Sequence, residues 1–178
     1  AIILYSGPRT CGGARKCFAK NRKPINIEEV RELKTVTHFT NEMTKTNKLG
    51  NAVVWPRGST LTSLALLRAK AEFGLGREDA HLVVLTVTDG RPLSKWKTGL
   101  TSRMVRKSAR LIWVPVAKYA PLKDIKKWAT RRWQENVIHV DDFDALEKPD
   151  VITHMVATIC SKDAGHAEQY PHEWLKGW

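Results

Sequence analysis

The sequence predicts an α/β fold, a mainly parallel sheet with helices on both faces. Two observations lead there. Short apolar runs alternate with longer amphipathic segments in the order strand, helix, strand, helix, strand, helix, the succession of a parallel sheet with covering helices. The near-continuous apolar run HLVVLTV, His81–Val87, suits a strand covered on both faces. The 178 residues, 42% hydrophobic, are enough for one domain with a sizeable core, and no repeat or low-complexity segment interrupts it. That domain is expected over residues 1–160, with an irregular tail over 161–178.

Taken in order, AIILYS (Ala1–Ser6) reads as a strand, and the Gly-, Pro- and Lys/Arg-rich stretch to about Asn26 as a loop or hairpin arm. IEEVRELKTVTHFTNEMTKTN places Val30, Leu33, Val36 or Thr37, and Phe39 or Thr40 at helical spacing, so a helix is expected there. In WPRGSTLTSLALLRAKAEF a Pro-Gly turn leads to Ser59 or Thr60 as cap of an Ala/Leu-rich helix. After the His81–Val87 strand, SRMVRKSARL reads as a short helix, IWVPVA as a strand, and PLKDIKKWATRRW as a helix opened by proline in its first turn. VIHV is a short buried strand. The last helix, within DDFDALEKPDVITHMVATIC, turns Val151, His154 or Met155, and Ile159 inward.

Charge is distributed unevenly about a net of +12. From Lys95 to Arg132 there are twelve Lys and Arg against one acid, Asp124; from Glu135 onward there are nine acids against three lysines. Arg103, Arg106, Lys107 and Arg110 recur at steps of three and four, as do Lys123, Lys126, Lys127 and Arg131, giving each of two helices a basic face. Two crossovers moving in one direction along a parallel sheet are both right-handed, so the two faces are expected to merge into one patch. Such a patch suits an acidic protein, an anionic membrane surface or a phosphate backbone. No aromatic platform or reading motif accompanies it, which argues against nucleic acid. The bland alternative is a solvated charged face.

Three cysteines make no disulfide framework: Cys11 and Cys17 either close a small loop or stay reduced, and Cys160 is left over. No CxxC or nearby histidine pair points to zinc. No apolar stretch of about eighteen residues occurs. The chain opens on AIILY without methionine or signal-peptide pattern and reads as a processed product or a fragment, with its compartment open between a secretory or extracellular and an organellar setting.

The succession of a YS-ended strand, GSTLTSLAL, VVLTVTDGRP, IWVPVA and VIHVDDFDAL…ITHMVATIC resembles the von Willebrand factor A domain over nearly all of Ala1–Cys160, a Rossmann-like fold. The closing D-F-x-x-L and helix ending in I-C resemble the A domains of protist microneme adhesins. The resemblance implies a metal-ion-dependent adhesion site holding Mg²⁺ at the carboxyl ends of the strands, with Thr60 of GSTLT and Asp89 of TDG as ligands. The family's first strand and its Asp-x-Ser-x-Ser loop have no match here. They are expected either in a preceding piece of chain or in another chain that supplies the central strand. Without them one hydroxyl and one carboxylate are too few for Mg²⁺, and Asp89 is then a strand-ending residue before a Gly-Pro turn.

An enzyme is not predicted. His38, His81, His139, His154, His166 and His172 have no Ser or Cys partner in a nucleophile motif, G-x-S-x-G is absent, and GSTLTS lacks the lysine of a phosphate-binding loop. The expected function is a non-catalytic protein-interaction module, through the metal site. The alternative is a structural subunit docked into a larger, membrane-bound assembly by its basic helices and by Trp174 and Trp178 of the tail.

Overall fold

The computed structural model describes residues 1–7, 33–54 and 58–160. The region of Cys11 and Cys17, the basic arm, and the tail with Trp174 and Trp178 lie outside them. The fold is α/β. Strands β1 (Ile2–Leu4) and β2 (Lys34–Thr37) precede helices α1 (Met43–Asn51) and α2 (Thr62–Glu72). Then come β3 (Val83–Thr88), α3 (Lys95–Arg106), β4 (Arg110–Pro115), α4 (Leu122–Trp128), the single turn α5 (Trp133–Asn136) and α6 (Pro149–Cys160). None of the described helices is long and apolar enough to cross a membrane. The chain divides into two compact units, residues 1–80 with 90–101, and residues 81–89 with 102 onward.

In the first unit β1 and β2 pair antiparallel, Ile3 opposite Thr35 and Leu4 opposite Lys34, with an irregularity between Ile2 and Ile3. The helix expected across Ile27–Asn47 is therefore corrected. Lys34–Thr37 is a strand, and the helix of this stretch begins at Met43. KTVT is three β-branched residues in a row, which suit an extended strand, and the pairing with β1 overrides the helical spacing.

Leu61 at the start of α2 and Ala65 and Leu66 on it are buried. Neither Ser59 nor Thr60 caps that helix. Leu61 stands at its start, and Ala65 donates to the Leu61 carbonyl at 3.1 Å. The helix is tied to β2 by polar contacts: Arg68 Nε donates to Thr35 Oγ1 at 2.9 Å, and the buried Glu72 carboxylate meets His38 Nδ1 at 2.7 Å.

In the second unit β3 and β4 run parallel in register from Val83–Arg110 to Thr88–Pro115. The 137–140 segment extends the sheet in parallel on β4 through Trp113–Val137 and Val116–Val140. The apolar IWV run makes β4 the centre, and all six of its residues are buried. Alternate side chains face opposite sides. Ile112, Val114 and Val116 pack with Ile138, Val140 and Ala145, and against Val151, Met155 and Ile159 of α6. On the other face Trp113 meets Trp128 of α4 with ring centroids 5.6 Å apart. Of the residues expected inward on α6, Met155 packs on the core and His154 is exposed.

Helix α3 starts at Lys95, earlier than the SRMVRKSARL reading placed it. Ser94 is its capping residue, its Oγ accepting the Lys97 backbone N–H at 3.2 Å. Proline-led α4 is shorter than expected. It ends at Trp128, and Thr130 turns back to the sheet, its Oγ1 accepting the Leu111 N–H at 2.8 Å.

Candidate interaction site

The GSTLT loop lies against the stretch that follows Asp89. Thr60 forms a parallel bridge with Pro92, and its carbonyl accepts the Leu93 N–H at 3.0 Å. A methyl group on Gly90 would stand 2.8 Å from Thr60 Oγ1, so the residue after Asp89 admits only a hydrogen at that point. Gly58 is held just as closely. A side-chain carbon there would run into the Gly7 carbonyl, to which Ser59 donates at 3.2 Å. Gly58 is thus set by a close backbone approach and Gly90 by the Thr60 side chain.

Thr60 belongs to the first unit and the exposed Asp89 to the second. Beside Asp89, the buried Thr88 Oγ1 has no hydrogen-bond partner among the described residues. Mg²⁺ needs about six oxygen donors in near-octahedral array, several of them commonly water. Thr60 and Asp89 supply two. Among the described residues no group of three His, Cys, Asp or Glu gathers to hold a metal. These side chains alone do not fit a resident Mg²⁺.

The basic residues separate into two kinds. Arg103 and Lys107 on and just beyond α3, Lys123 and Lys127 on α4, and Arg131 beyond it are exposed. Arg106 and Arg110 are buried, 8% and 6% exposed, and leave the predicted surface. Arg106 Nη1 donates to the Ala129 carbonyl at 2.7 Å, which clamps the end of α3 to the end of α4. Arg110 Nε donates to Asn136 Oδ1 at 2.6 Å, Nη1 to the Thr158 carbonyl at 2.7 Å and Nη2 to the Glu135 carbonyl at 3.1 Å. Burial lowers the Arg110 pKa from its ordinary value, and the Glu135 charge acts in the opposite sense. Lys126 is half-buried, its Nζ 3.9 Å from the centre of the Trp133 ring.

The Arg106 clamp sets α3 and α4 side by side on the Trp113 face of the sheet, as the two right-handed crossovers require. Among the described residues none of Arg103, Lys107, Lys123 and Lys127 has an ion-pair partner, so no ion pair there compensates the charge of these four side chains.

No family model and no curated protein matches the chain. Among solved structures, proximal thread matrix protein 1 (PTMP1) from the mussel byssus is similar at a TM-score of 0.53 and 18% identity, over 71% of this chain and 33% of that one. Manganese-loaded Plasmodium vivax TRAP protein is similar at a TM-score of 0.45 and 21% identity, over 61% of this chain and 46% of that one. The likeness to the mussel protein is one of fold. The chain spans about a third of the mussel protein's length and under half of the Plasmodium one's.

Sequence spacing missed the division of the basic residues because it counts steps along a helix and not what the helix packs on. A signal was present: Arg106 follows Val105, and Arg110 stands between Ala109 and the apolar run LIWV. Trp96 sits on α3 with 71% of its surface exposed.

Proposed function

We propose that this chain is a non-catalytic protein-interaction module of the von Willebrand factor A type, which docks an acidic protein partner through the cationic face of α3 and α4. The observation that carries the reading is the set Arg103, Lys107, Lys123 and Lys127. Among the described residues these are exposed cations without ion-pair partners, on and just beyond two helices clamped together by Arg106. Side-chain carboxylates on a partner segment would neutralise them, and the clamp holds the spacing of the charges in advance of binding.

An acidic protein is favoured over nucleic acid because the tryptophans nearest this face are not set out for stacking. Trp113 and Trp128 are buried against each other, and Trp133 lies under the Lys126 ammonium. The test is parallel titration of the full chain with fluorescent polyglutamate, a mixed-sequence single-stranded RNA and vesicles containing phosphatidylserine. Tighter binding to polyglutamate supports the reading. A preference for RNA or vesicles rejects it in favour of that surface.

A second reading, Mg²⁺-dependent adhesion through Thr60 and Asp89, is favoured by the close approach of Gly90 to the Thr60 hydroxyl. It needs oxygen donors beyond the described residues. If it holds, binding of an acidic ligand is abolished by EDTA, restored by Mg²⁺ and lost in Asp89→Ala. Binding that EDTA leaves unchanged in both proteins rejects it.

A further inference from the structure

The second unit carries a second charged surface, opposite in sign to the first. In the stretch DDFDALEKPD five acids, Asp141, Asp142, Asp144, Glu147 and Asp150, stand against Lys148, and all six are exposed. Phe143 lies among them with 56% of its surface exposed. The fold puts this stretch on the α6 side of the sheet, since Ala145 and Leu146 pack in the cluster of Ile112, Val114 and Val116. The cationic face lies on the other side, where Trp113 meets Trp128. One copy cannot bring its own two surfaces together.

We infer that the acidic occupant of the cationic face is a second copy of this chain, docking head to tail through Asp141–Asp150. This rests on the proposed docking role of the α3–α4 face and names its partner. Charge complementarity argues for it: Arg103, Lys107, Lys123 and Lys127 on one surface face five carboxylates on the other. Phe143 adds an aromatic ring at the centre of the acidic surface, where Lys and Arg of the other copy can lie over it. The net charge of +12 opposes self-association, but at about 0.15 M salt the screening length is roughly 8 Å, so the facing groups dominate over distant ones. The contact joins two different surfaces and leaves one of each exposed, so further copies add to it in a row or close it into a ring.

The experiment is sedimentation of the full chain at loadings from about 10 μM to 1 mM, the range in which a small polar contact populates. The wild type is expected to gain mass with concentration at 0.1 M NaCl and to return to the monomer at 0.5 M. Lys123→Glu with Lys127→Glu, and separately Asp141→Lys with Glu147→Lys, should each remain monomeric. An equimolar mixture of the two variants should associate, because each then offers the sign that the other needs. All four positions are exposed, so melting temperatures close to that of the wild type show that folding is intact.

A wild type that stays monomeric at every loading, variants that associate as the wild type does, or a mixture that remains monomeric overturns the proposal. Polyglutamate separates it from the reading beneath it. A chain that binds polyglutamate yet never self-associates overturns the homotypic contact alone, and one that does neither overturns both.

Discussion

Arginine at two positions four residues apart, Arg106 and Arg110, does structural work that Arg103 and Lys107 beside them do not. The difference lies in what each guanidinium meets. Arg110 donates to one side-chain oxygen and two carbonyls, and Asn136 in turn donates Nδ2 to the carbonyls of Arg131 and Arg132 at 3.0 and 3.2 Å. Removing the guanidinium leaves Asn136 Oδ1 and the Thr158 carbonyl without their donors in a buried place. Arg110→Leu is therefore expected to cost roughly 2–4 kcal/mol in urea unfolding, against less than about 0.5 kcal/mol for Arg103→Ala. Equal effects of the two substitutions would contradict the division of the basic residues. At this scale the sequence was only partly legible. Charge and periodicity marked the basic helices, but which arginines turn inward depends on the carbonyls of Ala129, Glu135 and Thr158, distant in sequence.

Most of the elements were legible, and those that were not show what competes with periodicity. The β3 and β4 strands follow from apolar runs, as does the 137–140 segment that bridges alongside β4, and α6 follows from the spacing of Val151, Met155 and Ile159. β2 was hidden because Leu33, Val36 and Phe39 also fit a helical stripe, and only the pairing of Thr35 with Ile3 resolves KTVT into a strand. The start of α3 was hidden by Pro92 and Gly99, while the cap at Ser94 was there to be read.

Neither the geometry of the GSTLT loop nor the need for its glycine is visible in spacing. Gly58 is required by the approach of Gly7, far away in the chain. Gly58→Ala forces these two segments apart and is expected to destabilise the protein by about 1–3 kcal/mol in thermal unfolding. A neutral substitution would show that the approach is looser than described.

For the whole molecule, polarity is the property that ties sequence to function. The basic stretch from Lys95 to Arg132 and the acidic stretch that follows were read directly from composition. Folding then places the exposed cations on the Trp113 side of the sheet and the exposed acids on the α6 side. What composition did not reveal is that two of the cations belong to the interior. The remaining exposed ones form a smaller surface than the local charge suggests.

Exposed charge pairs contribute about 0.2–1 kcal/mol each, and reversing two lysines replaces attraction with repulsion at both. The measurement that tests the account most directly is anisotropy titration of fluorescent polyglutamate at 0.1 M NaCl, with the wild type and with Lys123→Glu combined with Lys127→Glu. At least about a tenfold loss of affinity is expected in the variant, with its melting temperature unchanged. Equal affinity of the two folded proteins would contradict it and return the face of α3 and α4 to a solvated surface without a partner.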